Sequence, residues 1–316
     1  MRYTISFAIA TALAALTLGP AQADVPSVVT DMPPIQSLVA QVMGDLGTPL
    51  MLLAPASSPH DFQLSPSRAA AIAGADLIVW TGPELSPWLG RVLDSADTTA
   101  PTLALLASQA TRLQPFALAS GADESPKADH VHVVGDEHDL DRSQLDPHAW
   151  LDPDNASIWL GLIATELTKI DPANAAFYIA NAAKAQADLA ALDSSLADTL
   201  APARGKPIIV FHDAYGYFAA QYGLKLAGSV SLGDATTPGA ARLASLRATI
   251  TAGSATCIFP DAQFDPAPVT QLASDTGIRV GGALDPEGST QPQGPGLYAA
   301  LMTGLADTIA ACVTAP

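Results

Sequence analysis

Three histidines lie in similar sequence settings far apart along the chain. His60 follows the apolar run PLMLLA after a short loop, and His212 directly follows the apolar run PIIVF. His148 lies in LDPHAWLDP, where prolines restrict the backbone to an extended turn before a predicted helix. Neutral imidazoles suit zinc, which accepts nitrogen ligands at about 2.0–2.1 Å in tetrahedral geometry. If the fold brings these three rings together, the chemistry they offer is zinc binding.

A tetrahedral site needs a fourth ligand, and Asp285 is the candidate for it. This residue follows the apolar run IRVGGAL and opens the turn LDPEGS, so it lies at the end of a predicted strand, as His212 does. Taken alone, a histidine is more often bonded to the backbone, and an aspartate before Pro286 is often a turn residue. The joint placement of all four residues favours a shared site, with a water molecule as the alternative fourth ligand.

These residues must be positioned by an alternation of strands and helices. Short aliphatic runs predict buried strands, and helical patterns lie between them. Such alternation predicts parallel sheets covered by helices, in which ligands bind outside the carboxyl ends of the strands. The predicted strands are residues 27–30, 49–54, 76–81, 102–107, 207–211, 256–260 and 278–284.

One long helix divides the chain. Residues 173–200 contain neither glycine nor proline, and Asp171 and Pro172 can begin a helix before them. A helix over residues 171–200 would be roughly 40 Å long, enough to run along two lobes. We therefore predict an α/β fold with two lobes, residues 24–170 and 201–316. Each has a parallel β-sheet flanked by helices, and one long rigid helix joins them.

The first 23 residues are typical of a secretory signal peptide. They contain one cation, Arg2, an apolar run that is short for a membrane-spanning helix, and the cleavage pattern Ala21-Gln22-Ala23. A retained N-terminal anchor is the alternative. Removal of this segment changes the formal charge from -17 to -18. The mature chain is therefore expected to be exported and to repel nucleic acid and anionic lipid.

Two further features of the sequence agree with the expected export and the expected metal site. Cys257 and Cys312 are expected to form a disulfide in an oxidising compartment, and two unrelated buried thiols are the alternative. The polar, acidic segment 124–144 contains His130, His132 and His138 and reads as a loop. This loop either holds zinc loosely and passes it to the main site or is a solvated insertion with no role.

Several motifs together resemble the zinc-binding receptors of bacterial ABC uptake transporters, and the resemblance covers nearly the whole mature chain. The motifs are SPHDFQLSPS with the following ADLIVWTGPEL, then LDPHAWLDP, VFHDAYGYF, CIFPDAQF and the late LDPEG. By position, His60, His148 and His212 match the three histidine ligands of that family. Related manganese receptors usually carry a glutamate at the position of His212, so the histidine favours zinc.

The resemblance also shows one departure. Some zinc receptors place a glutamate just before the first ligand histidine, where this chain has Pro59. Asp285 or a water molecule is then left as the fourth ligand, and we favour Asp285. Cys257 and Cys312 resemble the disulfide of the zinc members, and the loop at residues 124–144 occupies the place of their histidine-rich loop.

The resemblance implies a periplasmic protein, monomeric by default, that carries out no reaction. It would capture Zn²⁺ between two lobes and deliver the ion to a membrane permease, with a periplasmic metal chaperone as a further candidate partner and nucleic acid excluded. The alternatives are a manganese receptor of the same fold, a zinc-dependent hydrolase that uses an open fourth coordination position, and an adhesin. The missing H-E-x-x-H glutamate argues against the hydrolase.

Overall fold

The computed structural model describes residues 25–54, 59, 62–95, 98–118, 144–231 and 238–316. These residues form two four-stranded sheets, and the neighbouring strands in both are parallel. The first sheet contains β1 (Val28–Thr30), β2 (Leu50–Met51), β3 (Leu77–Trp80) and β4 (Thr102–Ala104), in the order β2-β1-β3-β4. The second contains β5 (Pro207–Val210), β6 (Lys225–Ser229), β7 (Cys257–Ile258) and β8 (Arg279–Val280), in the order β6-β5-β7-β8.

Helices flank both sheets, and most of them connect consecutive parallel strands. In the first lobe these are α1 (Pro33–Met43), α2 (Pro66–Ala73), α3 (Pro87–Ser95) and α4 (Pro153–Ile170). In the second lobe they are α6 (Gly216–Tyr222), α7 (Ala240–Thr251), α8 (Ala267–Thr276) and α9 (Leu297–Thr314). The predicted fold class, two lobes with parallel sheets flanked by helices, is therefore confirmed.

The long helix α5 (Ala175–Leu200) joins the two lobes. Its 26 residues give a length of about 39 Å at 1.5 Å per residue. The helix begins a few residues later than predicted, because Pro172–Asn174 first form a 3₁₀ turn. The carboxylate of Asp171 holds that turn, since it accepts hydrogen bonds from the Asn174 amide and the Tyr178 hydroxyl, both at 2.7 Å.

The lobes share one apolar core. A single cluster of buried side chains runs from Val28 and Ile35 in the first lobe through Leu189 and Leu196 of α5 to Leu301 in the second. Two smaller clusters cover the outer faces of the sheets. Burial of this continuous apolar surface, at about 25 cal/mol per Å², is the main force holding the lobes together.

Several hydrogen bonds cross between the lobes, and we give the name lobe seam to one group of them, at Ser37, Trp150, Pro286, Pro295 and Tyr298. The Trp150 indole N–H donates to the Pro286 carbonyl at 2.8 Å, and the Tyr298 hydroxyl donates to the Trp150 carbonyl at 2.7 Å. The Ser37 hydroxyl donates to the Pro295 carbonyl and accepts from the Tyr298 backbone N–H, both at 3.1 Å. These bonds fix the first lobe against the start of α9.

The predicted disulfide is present. Cys257 in β7 is bonded to Cys312 near the end of α9, across a sequence separation of 55 residues. Helix α9 is the one described helix that is long and apolar enough to cross a membrane. Its buried face, with Leu301, Leu305 and Ile309, packs in the core, so it reads as a core helix that the disulfide ties to the second sheet.

Candidate metal centre

Two histidine rings, one from each lobe, face each other at the carboxyl ends of the sheets. The ring centroids of His148 and His212 lie 5.5 Å apart, with the ring planes at 65°. Both side chains are fully buried, with 0% and 1% exposure. His212 follows β5 by two residues, and His148 lies directly before the 3₁₀ turn Ala149–Leu151 that leads into α4. The structure thus brings together two of the three histidines predicted as ligands.

A buried carboxylate holds the ring of His148. Asp146 Oδ1 lies 2.8 Å from His148 Nδ1 and also accepts the His148 backbone N–H at 3.0 Å. The Asp146 side chain is itself 0% exposed. A carboxylate at Nδ1 favours the tautomer with the proton on that nitrogen, so Nε2 is the nitrogen that can bind a metal.

Asp261 lies against the ring of His212 in the other lobe. Its Oδ2 lies 3.1 Å from His212 Nδ1, and both side chains are 1% exposed. The Tyr215 hydroxyl donates to the same oxygen at 3.1 Å, and the Gln263 backbone N–H donates to Oδ1 at 3.1 Å. Burial, followed by the charge of Asp261, raises the pKa of Tyr215 well above its ordinary value, so the phenol keeps the proton that it donates.

Aromatic rings surround the pair. Trp150 lies 5.1 Å from the His148 ring, and Phe264 lies 5.3 Å from the His212 ring, between centroids. Phe264 also stacks on Phe211 at 4.9 Å. This apolar surrounding lowers the local dielectric, which strengthens the attraction between a bound cation and the two histidine–carboxylate pairs.

Asp285, the predicted fourth ligand, lies in the second lobe just after the bridge between Asp261 and Leu284. Its Oδ1 accepts from the Ser289 backbone N–H at 2.9 Å and hydroxyl at 3.0 Å. Its Oδ2 accepts from the Thr290 backbone N–H at 2.7 Å and hydroxyl at 2.6 Å. The carboxylate therefore organises its own turn, and its role as a ligand stays a prediction.

The remaining predicted site residues lie outside the described part of the chain. They are His60 and the three loop histidines His130, His132 and His138. Within the described ranges, no group of three or more His, Cys, Asp or Glu residues lies in an arrangement that could hold a metal ion. The described site is thus the pair of His148 and His212, which offers two nitrogen ligands from opposite lobes.

The two orienting carboxylates were not predicted as site residues. Asp146 stands two residues before His148 in LDPH, and Asp261 follows β7 in CIFPD, so each occupied a recognisable motif. For Asp146 the available signal is a carboxylate two residues before a candidate ligand, and for Asp261 it is a carboxylate shortly after a strand. Their pairing with the two rings becomes visible only when the distances are known.

Substitution of either carboxylate tests this arrangement. We expect Asp146→Asn and Asp261→Asn each to weaken zinc binding about 10- to 100-fold, because loss of the charge lowers the basicity of the ligating imidazole. The control is Asp193→Asn on α5, because Asp193 also accepts a tyrosine hydroxyl, that of Tyr222 at 2.8 Å, away from the histidines. Competition titration with a zinc chelator measures the effect. Equal affinities in all three variants would contradict an orienting role.

Comparison with protein families gives one clear match. The family model described as "ZnuA: Zinc-uptake complex component A periplasmic" matches residues 28–312. The chain is 46% identical to the high-affinity zinc uptake system protein ZnuA of Paracoccus denitrificans, over 98% of both chains. It is 35% identical to the protein of the same name from Brucella suis, over 91% of both chains.

Solved structures agree with this match. A crystal structure of a zinc-bound ZnuA deletion mutant has a TM-score of 0.73 at 26% identity and covers 93% of this chain and 100% of its own. The manganese-bound solute-binding protein FpvC of Pseudomonas aeruginosa has a TM-score of 0.75 at 21% identity, over 92% of this chain and 98% of its own. At that identity the second likeness concerns the fold alone.

Proposed function

Because the chain belongs to the ZnuA family of periplasmic zinc-uptake components, we propose that it captures Zn²⁺ between its two lobes and delivers the ion to an ABC transporter permease. The observation that carries the proposal is the buried pair of His148 and His212, 5.5 Å apart between ring centroids and drawn from opposite lobes. Each ring has a carboxylate at Nδ1. Imidazoles oriented in this way are typical zinc ligands.

We propose His60, His148, His212 and Asp285 as the ligand set. Two of the three histidines already meet, and the third follows Pro59, a buried described residue. Asp285 supports the set through its place in the second lobe, where its charge, like that of Asp261, contributes to the raised pKa of Tyr215. We propose His130, His132 and His138 as auxiliary ligands that hold zinc loosely.

Direct metal measurement tests the proposal. Protein purified without its first 23 residues and stripped of metal is titrated with zinc and with manganese in competition with a chelator. We expect one tight zinc site and weaker binding of manganese, because imidazole nitrogen suits zinc better than manganese, which prefers oxygen ligands. Tighter binding of manganese than of zinc would instead support a manganese receptor. The lack of any tight metal site would contradict the proposed function.

We also propose that the protein catalyses no reaction. A zinc hydrolase needs a general base beside the metal-bound water. The two carboxylates nearest the rings, Asp146 and Asp261, accept hydrogen bonds from backbone N–H groups and from Tyr215, which supports an orienting role instead. Ester and peptide substrates added to the zinc-loaded protein should remain intact, and turnover would overturn this part of the proposal.

The family places the protein in the periplasm, with a zinc ABC transporter as its partner. We propose in addition that a signal peptide of residues 1–23 is cleaved, that the receptor acts as a monomer and that a periplasmic metal chaperone is a further partner. We also propose the lobe boundaries 24–170 and 201–316 with a linking segment 171–200. The two sheets, which lie on either side of α5 in sequence, support these boundaries.

A further inference from the structure

A tryptophan on α3 contacts the segment that carries the first proposed ligand. The indole N–H of Trp88 donates a buried hydrogen bond to the Pro59 carbonyl oxygen at 2.8 Å. The two residues are 29 positions apart, and Trp88 is only 5% exposed. The bond ends on the residue directly before His60.

The same indole contacts the chain on the other side of His60. Its ring packs edge to face on Phe62, with centroids 5.1 Å apart and planes at 64°. The guanidinium of Arg68, on α2, lies 5.6 Å from the Phe62 ring centre, where it makes a cation–π contact. Trp88 thus contacts both Pro59 and Phe62, the described residues on either side of His60 and Asp61.

The position of Trp88 is itself fixed by the end of the first sheet. Trp88 is the second residue of α3, and the turn before that helix is bonded to the buried carboxylate of Asp31, directly after β1. That carboxylate accepts from the Thr81 backbone N–H at 2.9 Å and from the Ser86 hydroxyl at 3.5 Å. The anchor of the Pro59 segment is therefore a helix residue whose helix is bonded to the end of the first sheet.

We propose that Trp88 is a positioning residue for the first proposed ligand, because it bonds Pro59 and packs on Phe62 and so restrains the chain on either side of His60. This inference rests on the proposed function, because it takes His60 as a ligand. A ligand on a loop loses conformational freedom when the metal binds, and a loop that is already held loses less. Loosening the segment should therefore weaken zinc binding through His60, with His148 and His212 unchanged.

The test compares two tryptophans of the same core cluster. Trp88→Phe keeps an aromatic ring but removes the N–H donor. Trp80→Phe is the matched control, since Trp80 is 6% exposed, belongs to the same cluster and has no hydrogen-bond acceptor for its indole N–H among the described residues. Zinc dissociation is timed by stopped flow with excess chelator, and thermal melting of the metal-free protein measures stability.

We expect Trp88→Phe to speed zinc dissociation about 10-fold, the usual size of an effect on a residue that orients a ligand. Trp80→Phe should leave the rate unchanged even where it lowers the melting temperature. In a His60→Ala background, Trp88→Phe should add nothing further. Equal effects of the two tryptophan variants, or an undiminished effect of Trp88→Phe without His60, would overturn the inference.

The His60→Ala protein also separates this inference from the function on which it rests. If His60→Ala binds zinc like the wild type, the proposed ligand set is wrong and the tryptophan inference falls with it. If His60→Ala binds weakly while Trp88→Phe binds normally, only the tryptophan inference fails. Should Trp88→Phe not fold, Phe62→Leu removes the aromatic contact alone and should speed dissociation about 2- to 10-fold. An unchanged rate in that variant would count against the inference.

Discussion

Alanine at His148 or at His212 is expected to lower the zinc affinity of the receptor roughly 100- to 1000-fold, the share that one ligand holds in the free energy of a four-ligand zinc site. The effect is large because each ring is buried and already oriented by Asp146 or Asp261. Either variant also leaves its carboxylate buried without the imidazole partner, which destabilises the fold around the site. Competition titration at constant pH measures the loss.

The controls for this result come from other histidines of the chain. His132→Ala and His138→Ala each remove one imidazole from the acidic loop and should leave the tight site unchanged. Circular dichroism should show the same helix content for all variants. A His148→Ala or His212→Ala protein that kept wild-type affinity would remove that residue from the site.

The proposed ligands should differ in strength. His60→Ala is expected to resemble the other two histidine variants, whereas Asp285→Ala should cost less affinity. The carboxylate of Asp285 already accepts four hydrogen bonds from Ser289 and Thr290, so it would have to share its oxygens between the turn and the metal. If Asp285→Ala bound zinc as weakly as His148→Ala, Asp285 would contribute as much zinc affinity as a histidine ligand, despite its hydrogen bonds within the turn.

Loss of the disulfide has the second large effect, and it acts on stability. Replacement of Cys257 and Cys312 by alanine should lower the free energy of unfolding by about 4 kcal/mol, from the loop entropy released in the unfolded chain over a separation of 55 residues. Urea denaturation of the metal-free protein, with and without reducing agent, measures the change.

The double variant provides its own control. A reducing agent should destabilise the wild-type protein and leave Cys257→Ala/Cys312→Ala unaffected. Zinc affinity should change little in that variant, since the bond ties β7 to α9 and neither cysteine is a proposed ligand. If the reducing agent left the urea denaturation midpoint of the wild-type protein unchanged, the predicted stabilisation by the disulfide would be contradicted.

The sequence was sufficient for the features that depend on local pattern. Apolar runs identified the β1, β3 and β5 strands, and the lack of glycine and proline after Pro172 identified α5. His148 and His212 could be matched because His212 shortly follows a strand and His148 shortly precedes a helix, each within a recognisable motif. The prediction failed to include Asp146 and Asp261 because their roles depend on contacts at about 3 Å, which spacing does not encode.

Three further details depend on contacts that a sequence pattern does not show. The strand predicted at residues 49–54 is shortened to Leu50–Met51, although Leu52 and Leu53 still donate backbone hydrogen bonds to the first strand and Asp31. Both carboxylate oxygens of Asp285 accept hydrogen bonds within the turn, because Ser289 lies within reach of one and Thr290 within reach of the other. The contact between Trp88 and Pro59 joins residues that no local rule connects.

The lobe seam bears on how the cargo leaves. Parting the two halves would expose the Trp150 indole and the Tyr298 phenol to water at roughly 2–3 kcal/mol for each ring, and it would break the bonds of Ser37 and Pro286 as well. A hinge motion of that cost is a poor step for a cycle repeated at every transport event. We infer that the two lobes stay packed together while the ion is taken up and released.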